Sequence, residues 1–325
     1  MKIRNVLATA ALSICAVLMP HRATAQQTIE FNSMDKKLGF PALLGGRAQY
    51  TDKISGVFTR PAGATGNVPV MVIMHSSGGI HPTSTGEWSN FFLEMGVATF
   101  VVDSFGPRGI TSTTMDQSQM SYPASTADAL QALKVVAAQP GVDQKRIGVI
   151  GFSRGAHAAA TAGYENIRKA VLGADSPLRF GLHVLFYGGC GTVGTTTGAP
   201  MLFLLGKEDD LISAEGCTGT IARLRARGAN VVDTVLYPNA LHSFDVDRAK
   251  MLYMPNAQGF KGCTSAGQDL DNLTYYVGDN QVTSKEFGDY WGKCTVRGGS
   301  IGPNHPAKSD SRDRTKAFVL KTFAM

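Results

Sequence analysis

The sequence predicts an α/β fold built on a mostly parallel sheet with helices on both faces. Three observations lead there. Short, almost wholly apolar runs alternate with segments of helical spacing from about residue 54 to residue 237, and strands buried on both faces are the ones that read as continuous apolar runs. One such run, Ile147 to Ile150, enters Gly151-Phe152-Ser153-Arg154-Gly155 and is followed by the small-residue stretch Ala156 to Ala160; that order is strand, sharp turn, helix. The 325 residues hold no internal repeat, low-complexity tract or long Pro/Ser linker, so one large domain with an elaboration, or two small ones, accommodates them.

At the start of the chain, Lys2 and Arg4, an apolar stretch from about Val6 to Met19, and Ala23-Thr24-Ala25 supply the basic, apolar and small-residue parts of a secretory signal peptide. Residues 1–25 are read as that signal and 26–325 as the mature domain, secreted or periplasmic, beginning at Gln26. Cys15 offers a lipoprotein site, but Ile14 before it is bulkier than that processing accepts. Losing Lys2, Arg4 and Arg22 leaves 28 basic against 25 acidic residues and lowers the net charge from +6 to +3, too mild a surplus to point to nucleic acid. It also leaves four cysteines, Cys190, Cys217, Cys263 and Cys294. An even count in an oxidising compartment reads as two disulfides rather than free thiols. No later segment is apolar for long enough to span a bilayer, and nothing in the sequence sets an oligomeric state.

Taken in order, Ile54 to Thr59 and Val68 to Met74 read as strands, the second nearly all apolar. Glu87 to Met95 reads as a helix, and Val97 to Val102 as a buried strand ending in Asp103. Ser125 to Ala138 carries apolar residues at helical spacing and stops at Gln139-Pro140-Gly141. Strands follow at Ile147 to Ile150, Val184 to Tyr187, Met201 to Leu205 and Val231 to Tyr237, with a helix from about Thr218 to Arg227 ended by Gly228. In such a sheet the ligand crevice lies at the carboxyl ends of the strands.

Chemistry is sought at those ends. A G-x-S-x-G turn after a strand lifts one hydroxyl clear of the sheet, because its glycines admit a strained backbone; Ser153 is the candidate nucleophile. Gly298-Gly299-Ser300-Ile301-Gly302 fits the same pattern, but it follows polar residues and runs into Pro303, where no helix starts cleanly, so it reads as a surface loop. A serine hydroxyl needs a base, and an imidazole needs an acid to hold its tautomer. Asp209 and Asp210 follow the strand at Met201, and His242 follows the strand at Val231, giving the order Ser, Asp, His of the elbow folds. A turn or helix cap is the alternative for the aspartates, and an ordinary loop residue the alternative for His242. Backbone donors for an oxyanion are expected at Arg154, directly after the nucleophile, and in His75-Ser76-Ser77-Gly78-Gly79, where Ser77 is chosen. His75 reads as a support for that loop. His81, His157, His183 and His305 show no metal-ligand spacing, and no P-loop or dinucleotide fingerprint occurs, so neither metal nor cofactor is expected.

From about Val68 to Asp245 the chain resembles the dienelactone hydrolase family of α/β-hydrolases. The motifs that carry the resemblance are His75 to Gly79, Asp103-Ser104-Phe105-Gly106-Pro107-Arg108-Gly109, Pro140-Gly141-Val142-Asp143, Gly151 to Gly155, Gly206 to Asp210, and His242. The resemblance implies the α/β-hydrolase fold with a central sheet of about eight strands, and hydrolysis through a nucleophile, His and Asp triad. It favours Asp209 over Asp210, because the acid in that fold sits three residues past the glycine closing the strand. It places Arg108 where the family binds a substrate carboxylate, a structural ion-pair partner being the alternative. The chain departs from the namesake enzymes in having Ser153 for their cysteine and Ser76 for a glutamate beside the oxyanion loop, so dienelactone itself is not the expected substrate.

Residues 245–304, rich in Gly, Asn, Asp and Tyr, fall outside that core and read as an organised insertion near the catalytic His, before a last helix from Ala307 to Phe323. If the strands at Val184 and Met201 are neighbours, Cys190 and Cys217 meet at one sheet edge. Cys263 and Cys294 then pair inside the insertion. The expected function is a secreted serine hydrolase cleaving a carboxylic ester, small or polymeric. A peptidase of the same fold and a non-catalytic binding protein on the same scaffold are the rivals.

Overall fold

The computed structural model describes residues 26–325; the expected signal peptide lies outside them. The central sheet contains β1 (Gln26–Ser33), β2 (Asp52–Thr59), β3 (Val68–Met74), β4 (Ala98–Asp103), β5 (Val142–Phe152) and β6 (His183–Phe186). After the short β7 (Thr192–Val193), which joins a different sheet, β8 (Met201–Gly206) and β9 (Val231–Tyr237) complete it. The eight strands lie in the order β1-β2-β4-β3-β5-β6-β8-β9. β1 with β2 and β2 with β4 are antiparallel, and every other pair is parallel. The chain winds outward one way from β3 and the other way from β5, so the crevice between their carboxyl ends is the topological switch point, where open α/β sheets bind ligands.

Every residue of β3 is buried, and alternation decides to which side each belongs. Val70, Val72 and Met74 join the apolar layer formed with α1 (Phe40–Leu44), α3 (Tyr122–Ala137), α4 (Arg154–Thr161), α5 (Glu165–Leu172) and α6 (Ala214–Ala226). Met71 and Ile73 face the opposite layer, formed with α2 (Glu87–Glu94) and the last helix (His305–Phe323). α3 starts three residues before the apolar pattern does, because Ser121 caps it by accepting from the Ala124 N–H at 3.2 Å and Pro123 occupies its first turn. α6 begins earlier than expected for the same reason, with Ser213 accepting from the Gly216 N–H at 2.9 Å. β1 and α5 are additions to the sequence reading. β1 is an edge strand of polar composition, held by its pairing with β2 from Gln26 to Ser33.

Residues 245–304 carry their own small sheets. β10 (Leu252–Tyr253) pairs with β16 (Ser300–Ile301), and β11 (Gln258–Gly259) with β15 (Val296–Arg297). β12 (Ala266–Asp269), β13 (Thr274–Val277) and β14 (Asn280–Val282) extend outward from β7. α7 (Ser284–Cys294) starts at a capping box between Thr283 and Glu286. Disulfides join Cys190 to Cys217 and Cys263 to Cys294, each with Cα atoms 4.9 Å apart. The last helix, α8, then docks through Lys308 and Arg312 onto Glu87, both at 2.8 Å. Among the described residues no helix is long and apolar enough to cross a membrane.

The buried imidazole of His183 on β6 makes stability depend on pH. Its Nδ1–H donates to the Ala159 carbonyl at 2.8 Å, and Nε2 has no partner. Burial pulls its pKa from 6.5 down to about 4. In that window the unfolded chain binds a proton that the folded chain refuses, so stability is lost as pH falls below about 6.5, at up to about 1.4 kcal/mol per pH unit. His157, pulled down by burial to about 3, adds to the same slope, while Asp245, whose carboxyl burial pushes up, opposes it. Urea denaturation between pH 6.5 and 4 is expected to show the loss, and His183→Gln to flatten the slope by about one proton. An unaltered slope would reject the assignment.

Candidate active site

At the end of β5 the backbone of Ser153 has φ 54° and ψ −113°, a strained state for a residue with a side chain. The turn is tight enough to exclude any other residue at its two glycines. A methyl group on Gly151 would overlap the Gly155 carbonyl, and one on Gly155 would overlap the carbonyls of Met74 and His75. The Ser153 N–H donates to the Phe186 carbonyl at 3.0 Å, anchoring the turn to the end of β6.

The turn after β8 orients two carboxylates in different directions. Asp209 Oδ1 accepts from the N–H groups of Leu211 and Ile212, both at 2.8 Å, leaving Oδ2 for His242 Nδ1 at 2.7 Å. A carboxylate only accepts, so Nδ1 carries the hydrogen and donates it, and Nε2 is free to accept from the Ser153 hydroxyl, 2.9 Å away. The His242 and Asp209 side chains are 7% and 3% exposed. Asp210 points elsewhere, accepting from the Ser300 N–H at 2.6 Å. This corrects the surface-loop expectation for Gly298 to Gly302. Ser300 is buried in β16, and the Gly302 N–H donates to the His242 carbonyl at 3.2 Å. The second G-x-S-x-G copy thus braces the loops of Asp210 and His242 through its backbone.

Sequence reasoning missed the partners behind His242. The Tyr187 ring packs against the imidazole with centroids 4.7 Å apart. Its hydroxyl donates to Asp245 Oδ1 at 2.8 Å, and the Trp88 Nε1–H donates to Asp245 Oδ2 at 2.7 Å. An aspartate three residues after a histidine, inside an apolar context, was the available signal. In Asp245→Asn the carboxamide keeps one acceptor oxygen but turns its NH₂ toward a group that can only donate or a hydroxyl that must reverse. The expected result is a stability loss of about 1–3 kcal/mol by urea denaturation, with a smaller fall in kcat/KM because the imidazole loses its fixed backing. A variant as stable as the parent would remove Asp245 from this role.

Across the crevice, His75 to Gly79 follows β3. The Ser77 carbonyl accepts from the Thr113 N–H and the Ser112 hydroxyl, both at 2.9 Å, and its own hydroxyl is shared with the Gln117 carboxamide at 3.0–3.1 Å. Gln117 Oε1 also accepts from Arg154 Nε at 3.0 Å and Nη2 at 2.8 Å. One glutamine therefore ties together the two residues chosen as amide donors, and its backbone N–H donates to the Gln258 carboxamide oxygen of the 245–304 segment at 3.0 Å. Nothing in the polar stretch around Gln117 marks it in the sequence. The Arg154 N–H opens α4, where helix geometry leaves amides unpaired. His75 is a buried loop support. Its Nδ1–H donates to the Ser76 carbonyl at 2.7 Å, Nε2 accepts from the Ser104 N–H at 3.2 Å, and burial pulls its pKa down.

Arg108 requires a correction. Its guanidinium lies in the fold, 2% exposed, bonded to Asp52 at 2.6 Å, to Asp128 at 2.7 and 2.9 Å, and to the Ser104 and Met34 carbonyls. These partners occupy the planar fork, so the side chain serves as an ion-pair partner and does not reach the cavity.

Ser153, His242, Ser77 and Arg154 line one cavity of about 920 Å³ roofed by residues 252–301, within the usual size of small-molecule sites. Among the described residues no group of three or more His, Cys, Asp or Glu side chains is placed to hold a metal.

The model of the dienelactone hydrolase family matches residues 54–260. Among solved structures, a dienelactone hydrolase-like promiscuous phosphotriesterase from metagenomic libraries is 15% identical, with 91% of this chain and 98% of that one covered at a TM-score of 0.51. An α/β-hydrolase enzyme from a Medee basin deep-sea metagenome library is 16% identical, with 91% and 100% covered at 0.50. At these identities the likeness is one of fold. No curated protein sequence matches the chain.

Proposed function

The chain belongs to the dienelactone hydrolase family and is a hydrolase acting on ester bonds; from that premise we propose that it is a secreted serine carboxylesterase working through an acyl-enzyme. The observation that carries the reading is the unbroken chain of hydrogen bonds from Ser153 through His242 to Asp209 on the cavity floor. Ser153 Oγ attacks the ester carbonyl as His242 Nε2 takes its proton. The Ser77 and Arg154 amides hold the oxyanion, and Asp209 keeps the imidazole in the tautomer that accepts at Nε2 and stabilises its cation. The protonated imidazole then returns the proton to the alkoxide that leaves, and water activated by the same nitrogen releases the acid. Secretion is supported by the two disulfides and by the signal-like residues 1–25.

A fluorophosphonate probe is expected to label Ser153 of the folded protein, with p-nitrophenyl acetate hydrolysed and peptide amides left intact. No labelling would favour the binding-protein rival, and amide cleavage the peptidase. N-terminal sequencing of protein recovered outside the cytoplasm is expected to begin at Gln26.

A further inference from the structure

We infer that the 245–304 segment supplies a subsite for a planar aromatic ring, so that the ester carries an aryl group on its acyl or its alcohol half. The inference rests on the esterase reading and deepens it. Four rings of the cavity wall come from this segment: Phe260, Tyr275, Phe287 and Trp291. Three of them form a stack: Phe260 and Trp291 have centroids 5.0 Å apart and planes 29° apart, and Phe287 and Trp291 are 5.8 Å and 19° apart. Tyr275 lies tilted against Phe287, 4.8 Å and 38° away. Near-parallel rings at these separations are in stacking geometry.

A cluster serving only to hold the segment together would turn its rings inward. Here Phe260 is buried, while Tyr275, Phe287 and Trp291 are half-buried and line the cavity, Phe287 and Trp291 also packing on the small core around Cys263 and Cys294. Their positions are also fixed. Phe260 lies three residues before Cys263 and Trp291 three before Cys294, so the disulfide clamps the two stacked rings from behind. The Phe260 N–H donates to the Leu211 carbonyl at 2.6 Å, and Leu211 is itself held by Asp209. The aromatic wall is thus registered against the loop that holds His242. Rigid stacked faces suit a flat ring, whereas an alkyl chain would be accommodated by flexible aliphatic side chains without such order. A cavity of about 920 Å³ also far exceeds what a short aliphatic ester fills.

Two pairs of esters matched in size and intrinsic reactivity test the subsite: benzyl acetate against cyclohexylmethyl acetate, and ethyl 3-phenylpropanoate against ethyl 3-cyclohexylpropanoate. The wild-type mature protein is expected to prefer the planar member of one pair by about tenfold in kcat/KM, mainly through KM, the scale of one good aromatic contact. Trp291→Ala should reduce that preference to under about twofold, and Trp291→Phe should retain most of it. The inference is overturned by wild-type protein that prefers neither planar ester, by a preference that survives Trp291→Ala, or by an equal loss on every ester including ethyl acetate. Failure of the esterase reading itself shows separately, as no hydrolysis of any of them. Ring binding is then read from tryptophan fluorescence, since of the two tryptophans Trp88 is buried and Trp291 faces the cavity. Benzylacetone, a ketone that cannot be hydrolysed, should perturb the emission at lower concentration than its cyclohexyl counterpart, and equal titrations overturn the subsite.

Discussion

Ser153→Ala is expected to leave a folded protein whose kcat on p-nitrophenyl acetate falls by about 10⁴- to 10⁶-fold, because the members of a Ser-His-Asp relay act as a unit and little survives the loss of one. Stability should barely change. Alanine at φ 54° carries the same backbone strain as serine, and the hydroxyl's one hydrogen bond is to His242 at the open floor of the cavity. The informative control is Ser300→Ala. Ser300 contributes its backbone N–H to Asp210, which alanine retains, so activity should stay within about twofold. Activity lost with Ser300 and kept without Ser153 would overturn the nucleophile assignment.

Replacing Asp209 by Asn should be nearly as damaging to kcat, by about 10⁴-fold, for a reason that the hydrogen bonds dictate. Two backbone N–H groups already point at Oδ1, so the amide oxygen of Asn must take that position and its NH₂ must face Nδ1 of His242. Two donors then oppose each other, the imidazole moves its hydrogen to Nε2, and the nitrogen that should accept the serine proton no longer can. Asp210→Asn keeps an oxygen for the Ser300 N–H and should cost less than about tenfold. Burst-free, single-turnover kinetics on the two variants decides between them, and the opposite ranking would move the acid to Asp210.

What the sequence revealed and what it hid divide along physical lines. The buried strands and the turn at Gly151 to Gly155 were legible, because apolar runs and obligatory glycines are local properties. Ser153, Asp209 and His242 were legible as an order of residue types at strand ends. Gln117, Tyr187 and Asp245 were not, because their roles consist of contacts made across long stretches of chain, such as the 157 positions between Trp88 and Asp245. Arg108 misled for the converse reason. Its motif marks a place in the chain, but whether a guanidinium meets a substrate or Asp128 depends on which acids the fold brings to it.

The return strand at Ser300 has a consequence for the timing of assembly. Ser153 and His242 are 89 positions apart, Asp210 and Ser300 are 90 apart, and Lys308 reaches back 221 positions to Glu87. At synthesis rates of about 5–20 residues per second, Ser300 is made roughly 7 to 30 s after Ser153. Until it arrives, the loops of Asp210 and His242 lack their shared brace. Closure over such separations is also among the slower steps of folding, since the chain entropy must be lost before the contact forms. The brace between the Asp210 and His242 loops is therefore supplied by residues made well after those loops themselves.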